Sequence, residues 1–167
     1  MNICVEANIG AGKSTFLKCL ENKKLDNFQV IQEPVDEWIN TCDKDGENIL
    51  DKFYHNQNRW SFTFQMNSFI SRVHKMEENI ITDKINIIER SIFTDKYCFA
   101  KNCYESGKMS LLEWNIYNKW HTWLSTKFNV TPDMYIYLQT TPNVCLNRIN
   151  KRNRSEESNI PLEYLEI

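Results

Sequence analysis

The chain has 167 residues, of which 41% are hydrophobic, 13% aromatic and 25% charged, a composition that fits one globular domain with a real core and excludes a disordered or collagen-like polymer. Its 20 Lys and Arg against 22 Asp and Glu leave a net charge of −2, so no global field draws it to nucleic acid or to an anionic membrane. Any phosphate it handles must be gripped locally.

No apolar run approaches the roughly 18 residues of a membrane span, and the N-terminus lacks a basic flank followed by an apolar signal segment, so a soluble, cytoplasmic protein is expected. The six cysteines (Cys4, Cys19, Cys42, Cys98, Cys103, Cys145) are scattered without a C-x-x-C pair and read as reduced thiols. His55, His74 and His121 are equally scattered and read as solvated helix positions rather than metal ligands.

There is no repeat and no linker of Pro, Gly and Ser, so the organisation comes from alternating strand-like and helix-like segments. Asn2 to Glu6 is a short apolar run that meets a glycine pair and then a helix-forming stretch from Ser14 to about Asn22. Further short apolar runs are Phe28 to Ile31, ending at Glu33-Pro34, and Ile85 to Ile88, ending at Glu89-Arg90. A fourth, Met134 to Leu138, precedes Thr141-Pro142, where proline suits the first turn of a helix. Helical patterns run from about Asn56 to Glu77, Thr94 to Glu105 and Ser110 to Phe128. Short continuous strands separated by helices predict an α/β fold whose parallel sheet is covered on both faces. Ligands in such sheets bind beyond the carboxyl ends of the strands, which selects the loops after Glu6, Ile31, Ile88 and Leu138.

The first of these loops holds Gly10, Gly12, Lys13 and Ser14 between a strand and a helix, the context a phosphate loop requires. Backbone N–H groups at the helix N-terminus would wrap the anion, Lys13 would reach the β and γ phosphates, and Ser14 would offer its hydroxyl to magnesium. The pattern G-x-x-x-x-G-K-S/T asks for glycine where this chain has Ala7, so ordinary backbone angles are expected there. At the next strand end, Glu33 could accept the proton of an attacking hydroxyl, and Pro34 fixes the chain direction beside it. At the third, Arg90 could hold an oxyanion while Glu89 serves a hydrated magnesium or a structural pair. The basic run Arg148, Lys151, Arg152 and Arg154 could fold over phosphates, or be a solvated face.

These residues carry a family resemblance. EANIGAGKST at 6–15, EPVDEW at 33–38, RWSFTFQ at 59–65, ERSIFTD at 89–95 and RNRSEESNIPLEYLE at 152–166 resemble the deoxyribonucleoside kinases of the deoxycytidine/deoxyguanosine kinase type, through nearly the whole chain. The resemblance implies a three-layer P-loop kinase fold and a single kinase domain over 1–167, with a phosphate loop at 6–15 and a lid region at about 148–157. It implies phosphoryl transfer from ATP or another nucleoside triphosphate, with Mg2+, to a deoxynucleoside 5′-hydroxyl in nucleotide salvage, a source of DNA precursors.

The resemblance also assigns roles residue by residue. Glu33 is the expected general base, Arg90 sits beside the hydroxyl and the incoming phosphate, and Glu89 joins Ser14 at the metal. Asn8, Ile9, Gly10, Ala11, Gly12, Lys13, Ser14 and Thr15 hold the donor phosphates, under the lid arginines Arg148, Arg152 and Arg154. Tyr54 and Glu157 match the grip on the sugar 3′-hydroxyl, Gln65 the amide that reads the base edge, and Phe99 the ring stacked on the base. Ile9, Trp38 and Phe64 are expected pocket walls.

Spacing gives independent support. Gln65 and Arg72 are seven apart, two helical turns on one stripe of a single helix, and Tyr54 and Gln65 are eleven apart, about three turns, which gives the same face again. In the family an arginine and an aspartate at Arg72 and Asp95 go with deoxycytidine, deoxyadenosine or deoxyguanosine rather than thymidine. Two alternatives stay open, a nucleoside monophosphate kinase resembling thymidylate kinase and a nucleotide-binding module without turnover. A homodimer is expected through the helix bearing Trp114, Trp120 and Trp123. The chain stops at Ile167 inside the helix that Pro161 opens, so the family's closing helix and strand are expected to be missing.

Overall fold

A computed structural model describes residues 1–24, 26–128, 130–153 and 160–166. The expected lid residue Arg154 and sugar ligand Glu157 lie outside the described residues. The chain divides into two compact units. One is Met1–Gln32, Ile81–Ser91 and Pro132–Ile167, and the other is Glu33–Ile80 and Ile92–Thr131.

The first unit is built on a parallel sheet. Strands β1 (Asn2–Glu6), β2 (Phe28–Ile31), β3 (Ile85–Glu89) and β4 (Met134–Tyr137) stand in the order β2-β3-β1-β4. Ile3 lies opposite Ile87 and Met134, and Val30 opposite Ile87, so β1 and β3 occupy the centre and are buried along most of their length. Helix α1 (Lys13–Glu21) sets Leu17 against Val5 and Ile87, with Phe16, Leu20, Val30 and Ile136 around them. Each such aliphatic side chain, fully buried, contributes about 1.5–3 kcal/mol. Asn86, 1% exposed, ties the start of the sheet together by donating to the Asn2 side chain and the Ile81 carbonyl. All four strands fall where the apolar runs predict them, in a P-loop kinase fold. The expected cover on both faces does not extend to β4, where Met134, Tyr135 and Tyr137 are all at least half exposed.

The second unit is helical. It holds α2 (Val35–Asn40), α3 (Ile49–His55), α4 (Gln57–Asn79), a segment composed of α5 (Ile92–Thr94), a π-helical turn (Asp95–Ala100) and α6 (Lys101–Glu105), and α7 (Leu111–Lys127). Ser110 and Glu113 form a reciprocal capping box that starts α7. Two differences from the sequence expectation matter. The helices α2 and α3 are too short to show a periodicity. Tyr54 and Gln65 do not share a helix, because Asn56 leaves helical angles (φ −146°, ψ 80°) and caps α4 through its side chain to the Arg59 N–H. Helices α3 and α4 instead pack side by side, with the Phe53 and Phe64 rings stacked at 4.6 Å.

His121 corrects a further expectation. It is buried, not solvated, stacking on Phe69 at 5.1 Å with Nε2 3.2 Å from the Ile92 carbonyl, so Nε2 carries the donated proton. Burial, aided by the charge of Lys96, lowers its pKa below the ordinary histidine value in spite of the Ile92 bond. A histidine whose folded pKa is depressed stabilises the native state fully above its unfolded pKa, about 6.5, and loses that stability as the pH falls below it. We expect Tm to fall further for wild type than for His121→Gln between about pH 8 and 5, by an extra 2–4 °C or so, in thermal melts. Parallel curves would contradict this origin.

No described helix is long and apolar enough to cross a membrane. All six cysteines are free, Cys4, Cys103 and Cys145 being buried.

Candidate active site

The phosphate loop in the first unit obeys backbone rules before any ligand is considered. Gly10 and Gly12 take left-handed angles (φ 76° and 104°), and Gly12 caps α1. A Cβ on Gly10 would stand 2.5 Å from the Cys145 carbonyl oxygen, so helix α8 (Pro142–Arg152) closes on the loop only because glycine is there. Ala7 carries no positive φ, as expected, and alanine costs nothing at that position.

Lys13 is 6% exposed and folds back along the loop, its ammonium donating to the Ala7 and Asn8 carbonyls at 3.2 Å each. The loop, the residues after β4 and α8 enclose a pocket of about 990 Å³. Of the expected phosphate ligands, Gly10 to Thr15, Arg148 and Arg152 line this pocket. Arg148 Nη1 donates to the Ala11 carbonyl at 2.7 Å. Asn8 and Ile9 stand outside it. The Asn8 side chain accepts from the Ile9 N–H at 2.8 Å and donates at 2.6 Å to Leu165 of α9 (Leu162–Glu166). Tyr137, Gln139 and Thr140 also line the pocket. The sequence marks that loop as a strand end but offers no residue type that picks them out.

Ser14 donates its hydroxyl to Glu89 Oε1 at 2.8 Å, bringing two hard oxygen donors together at the mouth of the loop. A hydroxyl and a carboxylate are ligands magnesium accepts beside waters and substrate phosphates. Among the described residues no cluster of three or more His, Cys, Asp or Glu could cage a metal by itself.

Arg90 follows Glu89 at the end of β3. It is 5% exposed and holds φ 66°, a left-handed conformation that costs an arginine about 1–3 kcal/mol.

The second unit assembles a charged triad. Arg72, on α4, donates from Nε and Nη2 to the two carboxylate oxygens of Asp95, at 2.6 and 3.1 Å, and from Nη2 to Glu33 Oε1 at 2.6 Å. Arg72 and Asp95 are each 2% exposed, and the Glu33 side chain 17%. Burial opposes the charge on Arg72, but the Asp95 and Glu33 carboxylates outweigh it and raise the guanidinium pKa above its ordinary value. Arg72 is a cation at every accessible pH.

The other expected substrate residues of this unit sit on α2, α3, α4 and the π turn. Trp38 meets Phe64 edge-on at 5.4 Å, its indole N–H donating to Ser71 at 2.8 Å. Gln65, 2% exposed, has Cys103 Sγ at 3.9 Å from its amide nitrogen. Tyr54 is half-buried on α3, its ring 5.2 Å from Phe53. Phe99 is half-buried within the π turn that opens with Asp95. Such turns carry an extra residue per turn and recur at functional sites. No periodicity in 94–105 announces it.

The chain matches the deoxynucleoside kinase family model over residues 3–167. It is 41% identical to deoxycytidine kinase of Mus musculus over 184 aligned residues, covering 98% of this chain and 70% of the relative. It is 38% identical to a probable deoxycytidine kinase of Fowlpox virus, covering 99% of this chain and 67% of that protein. The mitochondrial thymidine kinase 2 of Homo sapiens is 37% identical, covering 98% of this chain and 60% of the relative.

Proposed function

The chain belongs to the deoxynucleoside kinase family, phosphotransferases that use a nucleoside triphosphate and a deoxynucleoside, and from that premise we propose that it phosphorylates the 5′-hydroxyl of deoxycytidine, deoxyadenosine or deoxyguanosine in preference to thymidine. The observation that carries this preference is the buried pairing of Arg72 with Asp95. Two charged groups that satisfy one another present fixed donors and acceptors to a base edge and leave little room for a thymine methyl. The triad also argues against an acceptor that already bears a phosphate, because Arg72 is shared by two carboxylates.

In this reading the loop from Gly10 to Thr15 grips the donor phosphates, Lys13 swings from the loop carbonyls to their oxygens, and Arg148, Arg152 and Arg154 neutralise charge on the transferred group. Glu33 accepts the proton of the 5′-hydroxyl, and Arg90 serves that hydroxyl and the incoming phosphate. Tyr54 and Glu157 hold the 3′-hydroxyl, Gln65 reads the base, Phe99 stacks on it, and Trp38 and Phe64 form the walls. Ser14 and Glu89 would hold a magnesium ion, which when bound offsets the negative charge of the donor phosphates. Leu112, Ile116, Trp120 and Trp123, all exposed on one face of α7, support pairing of two copies. The free thiols suit a cytoplasmic location.

The test is an initial-rate panel with ATP, magnesium and each of the four deoxynucleosides, plus deoxycytidine monophosphate. We expect kcat/KM for at least one of deoxycytidine, deoxyadenosine and deoxyguanosine to exceed that for thymidine by about tenfold or more. We expect no product from the monophosphate. Preference for thymidine or for the monophosphate contradicts the reading.

A further inference from the structure

Glu6 stands at the carboxyl end of the first strand, ahead of Gly10 and Gly12. It closes β1, and its Oε1 accepts from the Ser91 N–H at 2.8 Å and lies 3.4 Å from the Cys4 thiol. Ser91 immediately follows the left-handed Arg90.

The hydrogen-bond ladder shows what this contact does. Along β3, alternate N–H groups point to β1, with Asn86 donating to the Met1 carbonyl and Arg90 to the Val5 carbonyl at 3.0 Å. In a continuing strand the next amide, that of Ser91, would point to the opposite edge. Here it turns to the same side and meets Glu6. Two consecutive N–H groups can turn one way only if the residue that joins them leaves the extended region, and Arg90 does so at φ 66°. An arginine released from that constraint would favour an extended backbone, which would redirect its side chain.

We infer that Glu6 is a positioning residue: its side chain, by anchoring the Ser91 amide, holds Arg90 in the left-handed conformation that aims the guanidinium for phosphoryl transfer. This rests on the role proposed above for Arg90. What matters is the reach of the Glu6 oxygen, since the bond to an amide N–H needs an acceptor at the right distance and not a net charge.

The experiment compares Glu6→Gln, which keeps an oxygen at the same reach without charge, with Glu6→Asp, which keeps the charge and shortens the side chain by one methylene. Each is made in the wild-type chain and in Arg90→Ala, and assayed with magnesium, ATP and deoxycytidine. In the wild-type chain Glu6→Asp should lower kcat about tenfold or more with KM for deoxycytidine within about twofold, while Glu6→Gln stays within about threefold of wild type. In the Arg90→Ala chain Glu6→Asp should cost no further kcat.

The reverse order, with Asp active and Gln impaired, overturns the inference, as does an equal Glu6→Asp loss in the Arg90→Ala chain. An Arg90→Ala enzyme with unchanged kcat would sink the role of Arg90 itself, and this positioning role with it. If Glu6→Asp does not fold, Glu6→Gln decides alone, retained kcat supporting the inference and lost kcat overturning it.

Discussion

Replacing Glu33 by Gln should lower kcat by about 10²–10⁴-fold while leaving KM for the deoxynucleoside nearly unchanged. Glutamine keeps the size of the side chain and an oxygen able to accept from Arg72 Nη2, which now lies 2.6 Å from Oε1. It removes the capacity to take up a proton. The loss therefore falls on the step in which the 5′-hydroxyl becomes a nucleophile, and not on binding. Arg72 has a second purpose in this scheme, since its Nη2 donates to Glu33 Oε1 at 2.6 Å and fixes the orientation of the carboxylate. The check is steady-state kinetics with deoxycytidine and ATP, together with a thermal melt to show that the fold survives. A Glu33→Gln enzyme within about threefold of wild-type kcat would remove Glu33 from the proton transfer.

The parts of this site that the sequence announces are those in which one residue type is the only chemical answer. The placing of Gly10, Gly12, Lys13 and Ser14 at the junction of β1 and α1 follows from a strand, a loop and a helix read in order. The strands were equally legible, because β1 and β3 are buried along most of their length and read as short, largely apolar runs. What stayed hidden depends on bonds between distant residues or on backbone angles that many sequences tolerate. Asn56 breaks what looks like one helix into α3 and α4. The π turn at Asp95 lies inside an ordinary helical pattern. Arg90 has no sequence mark for its positive φ, and Glu6 looks like a polar residue ending a strand until the Ser91 amide is seen against it. His121 misleads in the other direction, since a lone histidine on α7 reads as solvated although its face of the helix, with Tyr117 and Leu124, is the buried one. The roles proposed for Tyr54, Phe64, Gln65 and Phe99 came from the motif resemblance, since aromatic and amide side chains alone would equally describe a packed core.

The specificity argument makes the last prediction, and its stability side comes first. Arg72 and Asp95 form a two-point ion pair at 2% exposure each. Arg72→Met takes the guanidinium away from the buried Asp95 carboxylate and should cost about 3–5 kcal/mol, Asp95→Ala leaves Arg72 paired with Glu33 and should cost less, and the double variant should be less destabilised than the sum of the two. Deoxycytidine should then lose the polar groups that read it, and thymidine should gain the space for its methyl. We expect the ratio of kcat/KM for thymidine over deoxycytidine to rise by about tenfold or more in Arg72→Met/Asp95→Ala. The same change takes Arg72 away from Glu33, so the absolute kcat with thymidine should remain below that of wild type with its best substrate. A specificity change with incomplete turnover is the combined signature of a residue that both reads the base and supports the proton acceptor. If the ratio does not move while the protein remains folded, thymidine is excluded by some group other than this pair.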